Sequence, residues 1–307
     1  MPIAELYGLR LRSALPLPRA VRPRGPVDVE IVRGRALEFT AVRRALDPPL
    51  SSGRWFEDRV LPDGRRYLRW TGLFEFLVAA DGRLIVARRL ARAARIPRAF
   101  ETYLLGHVLS FAIIARGFEP LHATAVVVGD GAIGFLGDCG QGKATLGAAF
   151  VRAGHALLTD DLLVLRDDGG RFHAGAGPAR LKLFREPARR VLGRGVRGTP
   201  MNGRGGKLVF PLGARAARGA APLRALYVLR PRRGDRVVIR ALSPRRAFVE
   251  LTRNTFNACV LDAPRLARQF DLAARVAARV PVKTLAYPRR LDRLADVRGA
   301  IEADLRW

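Results

Sequence analysis

The chain has 307 residues, with 55 Lys+Arg against 27 Asp+Glu and a formal net charge of +28. Its 49% hydrophobic and 7% aromatic content is enough to build a core, which excludes a disordered basic tail. The length suits one large domain or two smaller ones.

A charge this large first suggests nucleic acid or an anionic membrane. Its distribution argues otherwise: residues 101–168 carry four cations and eight anions, so the surplus lies on the two flanks. No helix-turn-helix, RNP or zinc pattern is present, and nucleic acid is not the expected partner. Only Lys143, Lys182, Lys207 and Lys283 are lysines; the other 51 cations are arginines, as the codon bias of a GC-rich genome would give. Cys139 and Cys259 stand far apart in no metal-ligand spacing, which suggests a reducing compartment. The N-terminal MPIAELYGLR lacks the apolar stretch of a signal peptide. The longest apolar run, Tyr103–Ala115, is too short to cross a bilayer and contains His107. A soluble cytoplasmic protein is expected, without membrane attachment.

In chain order, Pro16, Pro18, Pro23 and Pro26 make residues 13–26 an extended arm. Val27–Val32 alternates apolar and charged residues like a half-buried strand. Arg69–Ala79 and Leu84–Ala87 read as strands around the turn signal Asp81-Gly82. A helical pattern opens at Pro97 and runs through Arg116. His122–Val128 and Ala132–Leu136 are apolar strands on either side of Gly129-Asp130-Gly131. A glycine-rich loop, Gly137–Gly142, then leads into a helix over Lys143–Ala153. Ala156–Thr159 is a short buried strand ending on Asp160-Asp161, and Leu162–Arg166 is another. Residues 175–206, rich in Gly, Pro and Arg, read as a long functional loop region. Strands are predicted at Leu223–Leu229 and Val280–Ala286. Helices are predicted to start at Ser243-Pro244, to run from a cap at Asp262 through Ala278, and to span Leu291–Leu305.

Gly137-Asp138-Cys139-Gly140-Gln141-Gly142-Lys143 fits the phosphate-binding pattern G-x-x-x-x-G-K. The glycines let the backbone approach phosphate, successive N–H groups form an anion nest, and the following helix adds its positive end. Lys143 would reach the β- and γ-phosphates. In an arginine-writing chain, a compact ammonium at this position suits the nest where a planar guanidinium would not. The pattern is incomplete at Ala144, where a Ser or Thr hydroxyl would bind magnesium. Thr145 follows, about 100° further round the helix. Cys139 is either a stabilised thiolate within the nest or a small residue that fits the loop.

Asp160-Asp161 ends an apolar strand eighteen residues after Gly142. Adjacent acids there are either a solvated strand-end turn or a site at which one acid holds magnesium and the other accepts a substrate proton. His122, at the start of the strand before the loop, is either structural or a hydrogen-bond partner for an acid or a phosphate. His155 reads as a structural or cap residue. The basic run Arg180, Lys182, Arg185, Arg189, Arg190, Arg194 and Arg197 is either a solvated face or a binder of phosphate or of an acidic substrate.

Three blocks carry a family resemblance: Leu121-His122-Ala123, the loop 137–143, and Gly154-His155-Ala156-Leu157-Leu158-Thr159-Asp160-Asp161. In order and spacing they resemble the C-terminal region of HPr kinase/phosphorylases. The whole length is more loosely similar to HPr-kinase-like proteins, including kinases of lasso-peptide precursors. The resemblance implies an α/β fold with a P-loop core related to phosphoenolpyruvate carboxykinase. It would have a mixed sheet with flanking helices at 97–307, preceded by a small β-rich region at 1–96. It implies ATP- and Mg²⁺-dependent phosphorylation of a hydroxyl, often a serine, in a peptide or protein partner, and leaves a homo-oligomer open. It places Asp160 as catalytic base, Asp161 as the metal-associated acid, His122 beside the base and Lys143 on phosphate. The chain departs from the family at Ala144. It also lacks the second signature of true HPr kinase/phosphorylases near 180–207, so HPr itself is not the implied substrate.

Overall fold

The structure, a computed structural model, describes residues 1–17, 20–21, 25–50, 53–90, 97–193, 195–201, 206–232, 234–258, 260 and 262–306. Cys259 and Arg194 lie outside the described residues. The chain divides into two compact units: Met1–Gly117 with Pro200–Gly205, and Phe118–Thr199 with Gly206–Trp307. No described helix is long and apolar enough to cross a membrane.

The first unit is built on an eight-stranded sheet. Val29–Arg33 lies parallel to both Leu9–Ser13 and Leu84–Arg89, and the strands from Phe56 to Arg89 form an antiparallel meander. The single strand expected over Arg69–Ala79 is two, Arg66–Trp70 and Phe74–Val78. Gly72, at φ 76°, supplies the left-handed residue that closes the turn between them, and Leu73 N–H donates to the Trp70 carbonyl. One face of the sheet is covered by the helix Ala36–Arg44, whose Phe39 and Val42 pack with Tyr67, Leu77 and Val86. That helix is only nine residues long, with Glu38, Arg43 and Arg44 charged, so its two-residue apolar stripe is a weak periodic signal. The other face is aromatic. Trp70, Phe74 and Phe76 pack against Phe100, Tyr103 and His107 of the helical stretch that starts at Pro97. The division between the units therefore falls after Gly117, because these rings hold that stretch in the first unit. Its middle turn, Leu104–Val108, is π-helical.

The second unit is a mixed sheet with helices on both faces. Ala156–Thr159, Leu121–Val128, Gly131–Leu136 and Ala221–Arg232 lie side by side in that order. Leu121–Val128 is antiparallel to both neighbours, while Gly131–Leu136 runs parallel to Ala221–Arg232, which in turn runs parallel to Val282–Pro288. Gly131–Leu136 is buried along its whole length, as a strand covered on both faces should be. Side-chain alternation divides the core in two. Ile133 and Phe135 pack with Leu146 and Phe150 of the helix Lys143–Arg152. Ala132 and Leu136 face the other layer, with Leu251 of Pro244–Arg253 and Val276 of Ala263–Arg279. As expected, Asp262 caps the last of these helices, its carboxylate accepting from Arg265 N–H at 2.7 Å. The region read as one long loop contains a buried strand, Arg180–Phe184, and a helix, Arg185–Leu192. The strand pairs antiparallel with Lys207–Pro211. Its alternation of leucine with Arg180 and Lys182 is a strand signal that the surrounding Gly, Pro and Arg obscure.

Candidate active site

The glycine loop joins the central strand Gly131–Leu136 to the helix Lys143–Arg152. Gly142 is the residue before the helix and sits at φ 99°, in the left-handed region. A Cβ there would also lie 2.7 Å from the Tyr287 hydroxyl, so the position admits only glycine without strain. No side chain caps this helix, which leaves its first N–H groups directed into the loop as anion donors.

The loop is held from three sides. Gly137 N–H donates to Asn254 Oδ1 at 2.7 Å, and the Tyr287 hydroxyl donates to the Gln141 carbonyl at 3.0 Å. Arg289 donates to the Gly140 carbonyl. Within the loop, Gln141 Nε2 donates to Asp138 Oδ2 at 2.8 Å. Burial pushes the Tyr287 hydroxyl up to about 12, so it remains a donor. Lys143 is buried, and its ammonium donates to the carbonyls of Gly137 and Asp138. Burial lowers its pKa.

Asp160 and Asp161 follow the strand Ala156–Thr159. Asp161 has φ 73°, an uncommon conformation for a residue with a side chain. It is held there by its own carbonyl, which accepts from Ala123 N–H at 3.2 Å. This bend turns two consecutive acids into one cleft. Asp160 is 7% exposed. Its Oδ1 accepts from the Thr124 hydroxyl at 2.8 Å and its Oδ2 from Lys182 N–H at 2.9 Å. Asp161 Oδ2 is paired with the Lys182 ammonium. Burial is the main cause that brings Lys182 down to about 8, against the favourable pull of Asp160.

His122 reaches the same cleft two residues before Thr124, on the same face of its strand. Its N–H donates to the Asn254 carbonyl at 2.7 Å, and its ring meets the Phe256 ring edge-on at 5.7 Å. Burial, then the nearby Lys143 and Lys182 ammoniums, push its pKa down to about 4, so the imidazole is neutral at physiological pH.

The cleft has a volume of about 380 Å³. Of the residues singled out in the sequence, it gathers His122, Cys139, Gly140, Gly142, Lys143, Ala144, Thr145, Asp160 and Asp161. Gly137, Asp138 and Gln141 form the loop beneath rather than the cleft wall. Cys139 is exposed. Ala144 packs on the core and brings no hydroxyl. His155 has a structural place, bonded to Glu302 at 2.9 Å and away from the cleft. Of the basic run, Lys182 lines the cleft, while Arg185, Arg189 and Arg190 are exposed on their helix.

Sequence reasoning missed Thr124, Asn254, Tyr287 and Arg289. Strand alternation from His122 would have found Thr124. Asn254 lies 117 residues from the Gly137 it holds, and no local pattern marks it.

Among solved structures, the HPr(Ser) kinase/phosphatase from Coxiella burnetii aligns with 61% of this chain and 97% of its own, at 12% identity and a TM-score of 0.34. This is a distant structural relation. No protein-family model matches the chain, and no curated protein does.

Proposed function

We propose that the protein is an ATP-dependent phosphotransferase of the HPr-kinase-like type, which moves a γ-phosphoryl group to a hydroxyl, a serine of a peptide or protein. The observation that carries this reading is one cleft lined by both the glycine loop with Lys143 and a buried Asp160 whose carboxylate is fixed by neutral donors. The resemblance of the three sequence blocks points the same way.

In this reading the loop N–H groups and Lys143 bind the nucleotide phosphates. Lys143 exchanges its bonds to the Gly137 and Asp138 carbonyls for phosphate oxygens. Asp160 accepts the proton of the acceptor hydroxyl as its oxygen attacks the γ-phosphorus. The bond from that phosphorus to the bridging β–γ oxygen breaks, and ADP leaves. Thr124 and the Lys182 main chain orient Asp160, and neutral His122 adds a hydrogen-bonding wall without competing for the proton. Positioning and charge neutralisation supply most of the rate.

For a divalent cation the cleft offers few groups of its own. Ala144 has no hydroxyl, and no group of three or more His, Cys, Asp or Glu side chains comes together among the described residues. This set fits magnesium that arrives on the nucleotide, which Asp161 and Asp160, the two carboxylates lining the cleft, would help to hold. Bound there, magnesium would neutralise charge on the phosphates.

The test is incubation of the chain with Mg-ATP and serine-containing peptides, with phosphopeptide read by mass spectrometry. Lys143→Ala and Asp160→Asn should each lower turnover by about a hundredfold or more. The Asp160 variant should fold: the new amide oxygen can accept from Lys182 N–H while its NH₂ donates to Thr124, whose hydroxyl both donates and accepts. Full activity in both variants would sink the reading. Ala144 favours a second reading, a nucleotide-binding regulator of the same fold. It expects ATP binding without transfer in the wild type, and transfer gained in Ala144→Ser.

A further inference from the structure

Three of the chain's four lysines line one cleft: Lys143, Lys182 and Lys207. The fourth, Lys283, is bound to Asp304 at 2.8 and 2.9 Å. In a chain whose other 51 cations are arginines, this gathering is a feature of the cleft and not of the composition.

Lys182 and Lys207 come from the two strands of one ladder, in which Lys207 stands opposite Phe184 and Lys182 opposite Val209. Lys182 joins both acids, its N–H to Asp160 and its ammonium to Asp161. The Lys207 ammonium lies 5.6 Å from the centre of the Phe184 ring and has no ion-pair partner among the described residues. Lys143 bonds, among the described residues, the carbonyls of Gly137 and Asp138 in its own loop. Arg289 adds to the rim, where Arg290 is already paired with Asp292 and Asp235, so four cations face two carboxylates. For fold stability alone such an arrangement is a poor choice. Burying an ammonium costs free energy that one carboxylate barely repays, and an apolar residue on this strand would serve as well. An ammonium is compact and presents three donors that can rotate onto tetrahedral phosphate oxygens.

We propose that Lys143, Lys182 and Lys207 form a three-ammonium cradle for the transferring phosphoryl group, with Asp161 holding Lys182 in place. This rests on the proposed function and extends it. Lys182 supplies positive charge in a cleft whose Ala144 lacks the hydroxyl that would hold a metal ion. Asp161 then has two effects: it fixes the ammonium, and it competes with phosphate for it.

The probe is inorganic pyrophosphate, with ATP in parallel, titrated calorimetrically into the full chain in EDTA buffer at low salt, with thermal melting as the control for folding. Lys182→Met and Lys207→Met should each weaken pyrophosphate by about tenfold or more, the scale of a lost charge-assisted hydrogen bond. Asp161→Asn should tighten it several-fold, and that gain should vanish in the K182M background. A purely structural Lys182 would not give this coupling. If K182M does not fold, K207M and the sign of D161N decide. Pyrophosphate binding that depends on Lys143 but not on Lys182 or Lys207 overturns the cradle and leaves the proposed function standing. Failure of the wild type to bind pyrophosphate or ATP, with or without magnesium, overturns both.

Discussion

Glu75 in the first unit and Asp160 in the second are both buried carboxylates, and they are used in opposite ways. In the first unit Glu75 is 1% exposed. Its Oε1 accepts from Tyr67 at 2.8 Å and from Arg43, and its Oε2 from Arg88 at 2.8 Å. Two cations and a phenol thus close around one anion. In the second unit Asp160 is about as buried but has one neutral donor on each oxygen, and the nearest ammonium is directed to its neighbour Asp161. A carboxylate has about four lone-pair sites, so Asp160 keeps acceptor capacity toward the cleft, whereas Glu75 is enclosed by charged donors. Burial and ion pairing alone therefore do not mark a site. The distinguishing features are a cavity wall, neutral donors, and lysine where the rest of the chain uses arginine.

The contrast breaks most sharply if Glu75 is removed. Glu75→Ala leaves Arg43, Arg88 and Tyr67 without their common partner, and breaking a buried ion cluster in this way costs about 3 kcal/mol or more. The low end applies because both arginines keep some contact with water. Trp55 and Trp70, two of the three tryptophans, lie in this unit, so denaturant unfolding followed by tryptophan fluorescence reads the loss. Pyrophosphate binding to the second unit should be unchanged. A stability change below about 1 kcal/mol would mean that the cluster is held by water and not by its own members.

The two units also differ in how much of them the sequence reveals. The loop, its lysine, the paired acids and His122 are legible because the glycine-loop pattern has fixed spacing, the acids end an apolar strand, and strand–loop–helix order is local. The residues that aim them are not. Asn254, Tyr287 and Lys182 act through the packing of distant strands and helices, and a sequence pattern carries no register between them. In the first unit, Ala36–Arg44 is overlooked because only Phe39 and Val42 are buried on a nine-residue helix, too few to show a period. The turn at Gly72 is overlooked because apolar residues continue across it. The strand at Arg180–Phe184 is hidden by the composition of the residues around it, which is why Lys182 first reads as one member of a basic run, either a solvated face or a binder of phosphate or of an acidic substrate.

A second test keeps to the loop and separates backbone conformation from contact. Gly140 and Gly142 both have positive φ, 85° and 99°, but a Cβ at Gly140 meets nothing within 4 Å, while one at Gly142 lies 2.7 Å from the Tyr287 hydroxyl. Gly140→Ala should cost about 1 kcal/mol from its φ alone. Gly142→Ala should cost about 2 kcal/mol and weaken pyrophosphate binding as well, because Tyr287 must give up its bond to the Gln141 carbonyl. Melting temperatures and pyrophosphate titrations read both effects. Equal losses in the two variants would show that the buttress from Tyr287 does not shape the loop.

The smallest expected effect is a pH dependence. His122 has a pKa near 4 in the fold, against an ordinary value of 6.5. As pH falls below 6.5 the unfolded chain takes up a proton that the folded chain refuses. The stability contributed by the neutral ring is complete above that pH and declines toward pH 4. For this one group the loss between pH 7 and pH 5.5 is about 1 kcal/mol, from the slope of about 1.4 kcal/mol per pH unit for one proton. His122→Gln cannot titrate, so its stability should be flatter by that amount over the same interval. Because Lys143 and Lys182 contribute to the depression, Lys182→Met should restore part of the His122 pKa and shift its ring-proton titration upward in NMR spectra. An unchanged titration in that variant would separate Lys182 electrostatically from His122 and leave burial and Lys143 as the main causes.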